Sequence, residues 1–404
     1  MKIAIIGGGA SGLIAAITAA KNGADVTVFE RNDRVGKKLL STGNGRCNIT
    51  NDEVLAENEN GALSHYFGED TEFAKPALKA FDNEALLGFF GSLGVLFRSE
   101  RGKYYPYSET ASTVLDVLRG YADRCGVKTV CDSMITSAAK KNGGFIVGDT
   151  LFDRIIIACG GKSSPHLGTD GSGYDLARSF GHKISPLTPA ITQIKTNSDI
   201  PRRLKGIKCD ARLTAIKHGK AVRSESGQLL FTDYGLSGPP AFSLSVCADE
   251  QTTIELDLCP DHSFGELTDN IKKIINNPYK TGLQAGELLM PMLNRRVGQE
   301  IVRYAKIPLS MPACDLNDRQ IKAVANAMKK LCMPCGGVKG FQNAQVTLGG
   351  VKTCGIYSKT MGSKLCKGLY ICGEALDITG DCGGYNLQWA FSSGVAAGKA
   401  ASEC

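Results

Sequence analysis

Residues 2–30 read KIAIIGGGASGLIAAITAAKNGADVTVFE, and this stretch decides the fold. Its apolar start predicts a short buried strand, and the glycines at 7–12 predict a tight turn. An alanine-rich helix is predicted over 13–22 and a second strand over 25–30. A strand, a helix and a strand within 30 residues form a βαβ unit, which opens a Rossmann-type α/β domain.

The turn Gly7-Gly8-Gly9-Ala10-Ser11-Gly12 has the G-x-G-x-x-G spacing of dinucleotide-binding folds. Gly7 permits the tight turn, Gly9 lets the backbone approach a pyrophosphate, and Gly12 lets the helix pack close to the strand. The helix N-terminus then offers N–H groups and a positive dipole end to the phosphates. Glu30 ends the second strand and is placed to accept hydrogen bonds from the adenosine ribose. This spacing predicts a dinucleotide without choosing between FAD and NAD.

A basic, glycine-rich stretch at 34–48 favours FAD, because a simple NAD domain would continue here with its third strand. It contains Gly43-Asn44-Gly45-Arg46-Cys47-Asn48. Arg46 could form charge-assisted hydrogen bonds to a phosphate or to a flavin carbonyl, or it could be a solvated surface charge. The Cys47 thiol could tune the flavin or react with substrate, and packing is its alternative role.

The composition is that of a globular protein of two or three domains. The chain has 404 residues, of which 43% are hydrophobic and 22% charged. Its 15 cysteines have no framework spacing, and neither a secretory nor a membrane-spanning segment is evident, so we expect reduced thiols in the cytoplasm. The net charge of +7 is spread over scattered Lys/Arg doublets, which favours a solvated surface over a nucleic-acid partner.

The predicted secondary structure changes twice along the chain and then returns to the type seen at the N-terminus. Short alternating segments between 190 and 262 predict an antiparallel β module, and helices, including 266–276, 284–305 and 317–331, dominate 263–336. After that, strands and glycine loops return. We therefore expect one nucleotide-binding domain built from 1–189 and 337–404, interrupted by the two central modules.

The C-terminal block predicts a second helix N-terminus at the cofactor. A strand at 368–374 is followed by Asp377, by three glycines and by a helix that begins near Asn386. Such a helix would stabilise negative charge on a reduced flavin. Asn386 and Leu387 would offer N–H groups to the flavin, and Asp377 would bind ribityl or phosphate-linked hydroxyls. The alternative is a plain glycine-rich loop before a terminal helix.

The electron donor and the catalytic residues are less clearly marked. A second G-x-G-x-x-G is missing from the sequence, so NAD(P)H would dock transiently, or the donor is another molecule. Cys332-Met-Pro-Cys335 ends a predicted helix and precedes two glycines, which favours neither a redox pair nor zinc. We predict no metal site. Loop residues are the catalytic candidates, each with a structural role as its alternative: Cys47, Tyr104, Tyr105, Lys162 and His166.

Motifs along the whole chain match one flavoprotein family in order. They occupy residues 38–40, 45–48, 50–51, 105–108, 160–163, 171–174, 229–232, 235–239, 346–351, 360–361, 368–370, 373–374 and 383–390. With these motifs the sequence resembles the BaiN/YhiN-like NAD(P)/FAD-dependent oxidoreductases, some of which are labelled aminoacetone oxidase. The resemblance implies non-covalent FAD, a discontinuous FAD domain with an inserted β-barrel-like module and an inserted helical module, and cytoplasmic redox chemistry.

The resemblance also implies a small organic substrate, with some relatives tied to steroid or bile-acid metabolism. Motif and resemblance together predict a set of cofactor-binding residues: Gly7, Gly9, Ala10, Ser11, Gly12, Glu30, Arg31, Lys38, Gly43, Arg46, Cys47, Asn48, Met134, Gly160, Gly373, Glu374, Asp377, Gly384, Tyr385, Asn386 and Leu387.

Three functions compete at this point. The first is an oxidoreductase that reduces an activated C=C bond or oxidises an amine of a small or steroid-like molecule. The second is a flavoprotein that acts on tRNA, which the positive charge permits. The third is a non-catalytic binding protein that responds to its redox state.

Overall fold

The computed structural model describes residues 1–141, 143–277 and 282–403. Its strands in chain order are β1 (Lys2–Ile6), β2 (Asp25–Phe29), β3 (Thr50–Asn51), β4 (Tyr66–Phe67), β5 (Phe97–Glu100), β6 (Lys103–Pro106), β7 (Lys128–Val130), β8 (Ala138–Lys141), β9 (Gly144–Val147), β10 (Thr150–Phe152), β11 (Arg154–Ile157), β12 (Thr188–Ala190), β13 (Ile194–Thr196), β14 (Lys208–Lys217), β15 (Lys220–Phe231), β16 (Gly235–Ser237), β17 (Thr253–Asp257), β18 (Leu331–Val338), β19 (Val346–Leu348), β20 (Leu369–Ile371) and β21 (Thr379–Gly380).

The helices follow the same chain order. They are α1 (Ala10–Lys21), α2 (Lys37–Leu40), α3 (Lys75–Ala80), α4 (Asn83–Ser92), α5 (Ala111–Arg124), α6 (Ser172–Ser179), α7 (Ile200–Arg203), α8 (Pro239–Leu244), α9 (Phe264–Ile275), α10 (Arg295–Tyr304), α11 (Asp318–Lys329) and α12 (Tyr385–Ser402). Short 3-10 turns lie at Thr42–Gly45, Thr71–Ala74, Pro165–Leu167, Ala285–Glu287, Ala313–Asp315, Thr353–Gly355 and Gly373–Ala375.

A five-stranded parallel sheet in the order β20-β11-β1-β2-β7 organises the first compact unit, which comprises Met1–Ala190 and Phe341–Cys404. The central strand β1 is apolar at almost every position and buried from Ile3 to Ile6, as expected for a parallel strand covered on both faces. Because β20 comes from the C-terminal segment, both ends of the chain build one sheet. This confirms the Rossmann-type α/β fold predicted from the sequence.

The second compact unit, Ile191–Gly340, contains a closed six-stranded barrel in the order β13-β16-β15-β14-β17-β18. Helices α9, α10 and α11 lie in the chain between β17 and β18. Ser263 and Asn317 begin α9 and α11 with reciprocal capping boxes that satisfy the first free amides of each helix. Since barrel and helices form one unit, the further division of this insert at 262/263 stays a prediction.

The structure corrects two expectations within this insert, that the Cys332–Cys335 pair ends a helix and that one helix spans 284–305. The Cys332–Cys335 pair does not end a helix but lies in β18, where Leu331, Met333 and Cys335 alternate as buried residues. Residues three apart in a strand point to opposite faces, so the two thiols do not face each other. The apolar pattern of 284–305 is not one helix, because Asn294 caps a new helix, α10.

The helices of the described residues are either too short or too polar to cross a membrane. The same residues contain no cluster of three or more His, Cys, Asp or Glu side chains that could hold a metal ion.

Candidate cofactor site

A cleft opens at the carboxyl ends of β1, β2 and β11. Ligands of open parallel sheets bind outside the carboxyl ends of the strands. Residues of the predicted cofactor set line this cleft: Gly7, Gly9, Ala10, Ser11, Glu30, Arg31, Lys38, Met134, Gly160, Glu374, Asn386 and Leu387. The cleft therefore unites the first βαβ unit with the C-terminal block.

The glycine turn is shaped as its spacing predicts. Gly7 has a φ of 108°, and a Cβ there would lie 2.5 Å from the Ala158 carbonyl oxygen. A Cβ at Gly12 would overlap the Gly7 carbonyl oxygen, so glycine is required for the close approach of helix to strand. A Cβ at Gly9 would meet no described heavy atom within 4 Å and would project into open space. The backbone at Gly9 is therefore the part of the turn that a ligand can approach.

Helix α1 begins at this turn with its positive end exposed to the cleft. In the described chain, no side chain caps α1 and its first turn has no acidic residue. Gly9, Ala10 and Ser11 at the helix start all line the cleft. Free amides at an uncapped helix N-terminus bind phosphate groups well, because N–H donors and the helix dipole act together.

Glu30 supplies a buried carboxylate directly after β2. Its Oε2 accepts a hydrogen bond from the Gly8 amide at 2.9 Å, and its Oε1 accepts from the Asn32 amide at 2.9 Å and from Asn32 Nδ2 at 2.7 Å. The side chain is only 7% exposed and lines the cleft. This fixed acceptor beside the glycine turn fits the ribose hydroxyls of an adenosine.

The loop after Gly160 covers this end of the cleft and is tied to β2 by an ion pair. Arg31 Nη1 lies 2.6 Å from Asp170 Oδ1, and Asn32 Nδ2 donates to the Leu167 carbonyl at 3.3 Å. Burial raises the pKa of Asp170, but the hydrogen bonds from Arg31 and Ser172 and the charge of Arg31 together outweigh it and lower the pKa to about 2. The ion pair therefore persists far into the acid range.

Replacing Asp170 with asparagine is expected to destabilise the protein at neutral pH by about 1 kcal/mol or less, because the carboxylate is 38% exposed. A carboxyl whose pKa is lower in the folded state stabilises the fold above its unfolded pKa and loses that effect as pH falls through its folded pKa. The difference in unfolding free energy between wild type and variant should thus shrink from pH 4 towards pH 2. Urea unfolding across this pH range measures the difference in unfolding free energy. A difference independent of pH would contradict the lowered pKa of Asp170.

Lys38 and Glu374 join the two chain ends inside the cleft. Lys38 Nζ lies 2.6 Å from Glu374 Oε2, and the Thr347 amide donates to Glu374 Oε1 at 3.0 Å. Both side chains are about one-fifth exposed, with Lys38 at 22% and Glu374 at 19%. The pair places one cation and one carboxylate at the wall that a bound nucleotide would contact.

Helix α12 brings a second uncapped N-terminus to the same cleft. It begins after Gly384, whose φ of 99° favours glycine, and among described residues neither a side-chain cap nor an acidic group occupies its first turn. The Asn386 side chain donates to the carbonyls of Gly380 and Asp381 and accepts from the Gly380 amide, which fixes the loop before the helix. Asn386 and Leu387 line the cleft.

The residues of the second glycine loop gather beside the hairpin of β5 and β6 rather than along the cleft wall. The Arg46 guanidinium lies 4.2 Å from the centre of the Tyr105 ring and 2.6 Å from Glu100 Oε1. A Cβ at Gly43 would lie 3.6 Å from Tyr105 Cε1. Asn48 Oδ1 is buried and has no hydrogen-bond partner within the described chain, so the loop keeps an acceptor available.

Other predicted residues are placed as follows. Cys47 is fully buried, and burial raises the pKa of its thiol to about 12, which does not favour a reactive thiolate. Burial also raises the pKa of Asp377, which lies beside Gly68. A Cβ at Gly373 would lie 2.6 Å from Ser11 Oγ, so this glycine allows α1 to pack closely.

The remaining catalytic candidates lie in other loops. Lys162 is exposed and its Nζ lies 4.9 Å from the centre of the Phe341 ring, while His166 is exposed in a 3-10 turn. The Tyr104 hydroxyl donates to Asp52 Oδ1 at 2.8 Å. None of these three described residues lines the cleft, and their roles stay predictions.

Sequence reasoning missed some residues at the site. Ile135, Cys159, Thr169, Ser172 and Trp389 line the cleft. Cys159 carried a usable signal, because it directly follows a buried strand and precedes Gly160, and Ser172 and Trp389 lie in the motifs at 171–174 and 383–390. A histidine paired with a buried aspartate beside α12, His65 with Asp381, was missed as well.

The fold and the cleft define a protein of the Rossmann-type FAD-binding class. Two uncapped helix N-termini, the open approach at Gly9 and the buried Glu30 carboxylate are the features that fit such a dinucleotide. The family model described as HI0933-like protein Rossmann domain matches residues 1–400, and the chain belongs to this family. The flavoprotein-family resemblance predicted from the sequence is thereby confirmed.

Two relatives match over nearly their whole length. A protein from Clostridium scindens named 3-dehydro-bile acid delta(4,6)-reductase is 37% identical over 415 residues, which cover 100% of this chain and 99% of that protein. A ribosomal RNA dihydrouridine synthase from Haemophilus influenzae is 30% identical, with 97% and 96% covered. A solved flavocytochrome c3 fumarate reductase is 15% identical, with 99% and 78% covered and a TM-score of 0.46, a distant likeness from which nothing further follows.

Proposed function

We propose that this protein is an FAD-dependent oxidoreductase that reduces a carbon–carbon double bond conjugated to a carbonyl group. Its substrate would be a small organic molecule of the steroid or bile-acid type. The observation that carries the proposal is the cleft itself, in which the amide ends of α1 and α12 and the Glu30 carboxylate converge. These groups match the anionic and hydroxyl parts of a dinucleotide that can carry a hydride.

The substrate class is supported by the relative from Clostridium scindens. Its name describes a bile acid with an oxidised 3-position and a reductase activity at the 4,6-double bonds. At 37% identity over the full chain, reduction of such a conjugated system is favoured over amine oxidation. The finer identity of the substrate is part of the proposal.

Each cleft residue then has a defined task. The amides at the start of α1 bind the pyrophosphate, and Glu30 accepts hydrogen bonds from the ribose. Lys38 would provide a positive charge to the bound cofactor, and the amides of Asn386 and Leu387 would stabilise negative charge on it. FAD, when bound, would supply the hydride chemistry.

NAD(P)H is the proposed electron donor, and it would dock transiently because the sequence has only one G-x-G-x-x-G followed by a helix. We also propose a reducing compartment such as the cytoplasm. The 15 cysteines of the chain suit that environment, since thiols persist there in the reduced form.

Anaerobic stopped-flow spectroscopy tests the proposal in two halves. The flavin absorbance should bleach when the FAD-loaded protein is mixed with NADH or NADPH. It should return when the reduced protein is mixed with a 3-oxo-4-ene steroid, and mass spectrometry should find a product two mass units heavier. Bleaching without reoxidation by any conjugated ketone would contradict the substrate class, and a colourless protein that binds no FAD would contradict the cofactor.

A second candidate is reduction of a uridine in RNA, which the similarity to ribosomal RNA dihydrouridine synthases favours. The positive charge of the insert also supports an RNA substrate. Residues 191–340 contain 21 Lys and Arg against 15 Asp and Glu, so this insert carries +6 of the net charge of +7. Arg295 and Arg296 occupy the first turn of α10, where the helix dipole disfavours cations, and Arg296 donates to the carbonyl of Arg203.

RNA binding separates the two candidates. An RNA substrate requires binding to a ribosomal RNA fragment that weakens steeply as salt is raised, because phosphate contacts release counterions. Filter binding at two salt concentrations, followed by analysis of the RNA for dihydrouridine, measures both properties. If RNA binding is weak, the RNA is unmodified and a steroid is reduced, the RNA substrate is excluded and only the steroid-type substrate remains.

A further inference from the structure

A histidine and a buried aspartate are paired beside the start of α12. His65 Nδ1 lies 3.1 Å from Asp381 Oδ2, and the Asp381 side chain is only 4% exposed. On the other side of the ring, His65 Nε2 lies 3.2 Å from Oε2 of Glu53, whose side chain is 65% exposed. The imidazole thus has one nitrogen fixed by a buried carboxylate and the other directed towards solvent.

The backbone sets this pair in place. Strands β4 and β21 are antiparallel, with Gly380 opposite Tyr66, and the Asp381 amide donates to the His65 carbonyl at 2.9 Å. His65 and Asp381 therefore occupy the next opposed positions of the same ladder. Their meeting follows from the register of two short strands rather than from a flexible surface contact.

The pair is joined to the helix end that faces the cleft. The His65 ring stacks on the ring of Tyr385, the first residue of α12, with centres 4.5 Å apart and planes inclined by 18°. One residue further along, Asn386 binds the Asp381 carbonyl and lines the cleft. The pair is therefore connected to the cleft lining through the first two residues of α12.

The surroundings of the ring suit a proton donor. Asp381, Glu53 and Tyr385 are the ionisable described groups that face it. A carboxylate that accepts from Nδ1–H fixes the orientation of an imidazole and stabilises its doubly protonated form, as in other histidine–aspartate pairs. Both ring N–H groups then have an acceptor, and the exposed Glu53 can move aside to release Nε2.

We propose that His65, oriented by Asp381, donates the proton that completes reduction of the substrate double bond, an inference that rests on the proposed function. Addition of a hydride equivalent to the β-carbon breaks the π bond and leaves the electron pair on the α-carbon and carbonyl as an enolate. The proton on His65 Nε2 then bonds to the α-carbon. His65 becomes neutral and regains its proton from solvent, with Glu53 as the exchanging group.

The test compares the two half-reactions of His65→Gln with those of wild type, using the full FAD-loaded protein. Reduction of the flavin by NAD(P)H or by dithionite should be unchanged, because it needs no proton from His65. Reoxidation by a 3-oxo-4-ene steroid should be slower by about 100-fold or more, as expected for the loss of a general acid. Flavin content and melting temperature show whether the variant is folded.

The pH profile separates a proton donor from a merely structural histidine. In wild type, reoxidation should slow as the pH rises, because a general acid acts only in its protonated form. This pH-dependent fall in the reoxidation rate should be absent in His65→Gln and altered in Asp381→Asn. The control variant His262→Gln changes an exposed position in the second compact unit. It should retain both the wild-type reoxidation rate and its dependence on pH.

The outcomes are distinct. A His65→Gln protein that is reoxidised within about threefold of wild type, with the same pH profile, overturns the role of His65. A wild-type protein that is reduced but never reoxidised by a conjugated ketone overturns the proposed function, and the role of His65 with it. A variant that loses flavin reduction as well as reoxidation shows that His65 acts in binding the cofactor, which also overturns the proposal.

Discussion

Gly9→Leu is expected to abolish FAD binding while leaving the fold intact, with the dissociation constant raised by at least about 100-fold, or about 2.7 kcal/mol. Gly9 has φ −81° and ψ −170°, which any residue adopts, and a Cβ there meets no described heavy atom within 4 Å. The Cβ of a leucine would therefore be accommodated at this position, which lines the cleft. The leucine side chain would fill the space in front of the first amides of α1, which a pyrophosphate needs for close approach.

The measurement is a titration of the flavin-free protein with FAD, followed by fluorescence and by thermal unfolding. Gly88→Leu is the matched control, since Gly88 lies exposed in α4, outside the cleft, and its Cβ also has no described atom within 4 Å. Both variants should unfold at similar temperatures without cofactor, and only the control should be stabilised by FAD. If purified Gly9→Leu protein is yellow and contains one FAD per chain, the phosphates of FAD do not bind at the start of α1.

The glycine turn and its flanking elements could be predicted closely because their signals are local. The sequence predicts strands at 2–6 and 25–30, and the structure has Lys2–Ile6 and Asp25–Phe29. The helix begins earlier than predicted, at Ala10, because backbone amides rather than a polar side chain form its N-terminus. Motif spacing encodes the roles of these residues directly, so they line the cleft as expected.

The parts that sequence reasoning missed depend on distant pairing. His65 and Asp381 are 316 positions apart, and they meet through β4 and β21, which have only two residues each. Strands of that length leave no periodic pattern to read. The prediction that Cys332–Cys335 ends a helix was wrong for a related reason. The segment is extended because β18 closes the barrel against β13 and β17.

Gly394→Ala is expected to destabilise the protein by about 3 kcal/mol, although glycine to alanine in an exposed helix interior normally stabilises by about 1 kcal/mol. The added Cβ would lie 2.5 Å from both Ile14 Cγ2 and the Ser11 carbonyl oxygen. One turn on, a Cβ at Gly398 would lie 2.9 Å from Ala15 Cα. These two glycines let α12 contact the backbone of α1, so a methyl group between the helices must push them apart.

The consequence reaches the cofactor, because both helices begin at the cleft and α1 carries Ser11 there. Urea unfolding of the flavin-free protein should give a lower midpoint for Gly394→Ala and an equal or higher midpoint for Gly88→Ala, where the same change meets no described neighbour. FAD affinity should fall in Gly394→Ala alone, since its phosphate-binding amides move with α1. Equal midpoints for the two variants would mean that α1 and α12 are not held together by close glycine packing.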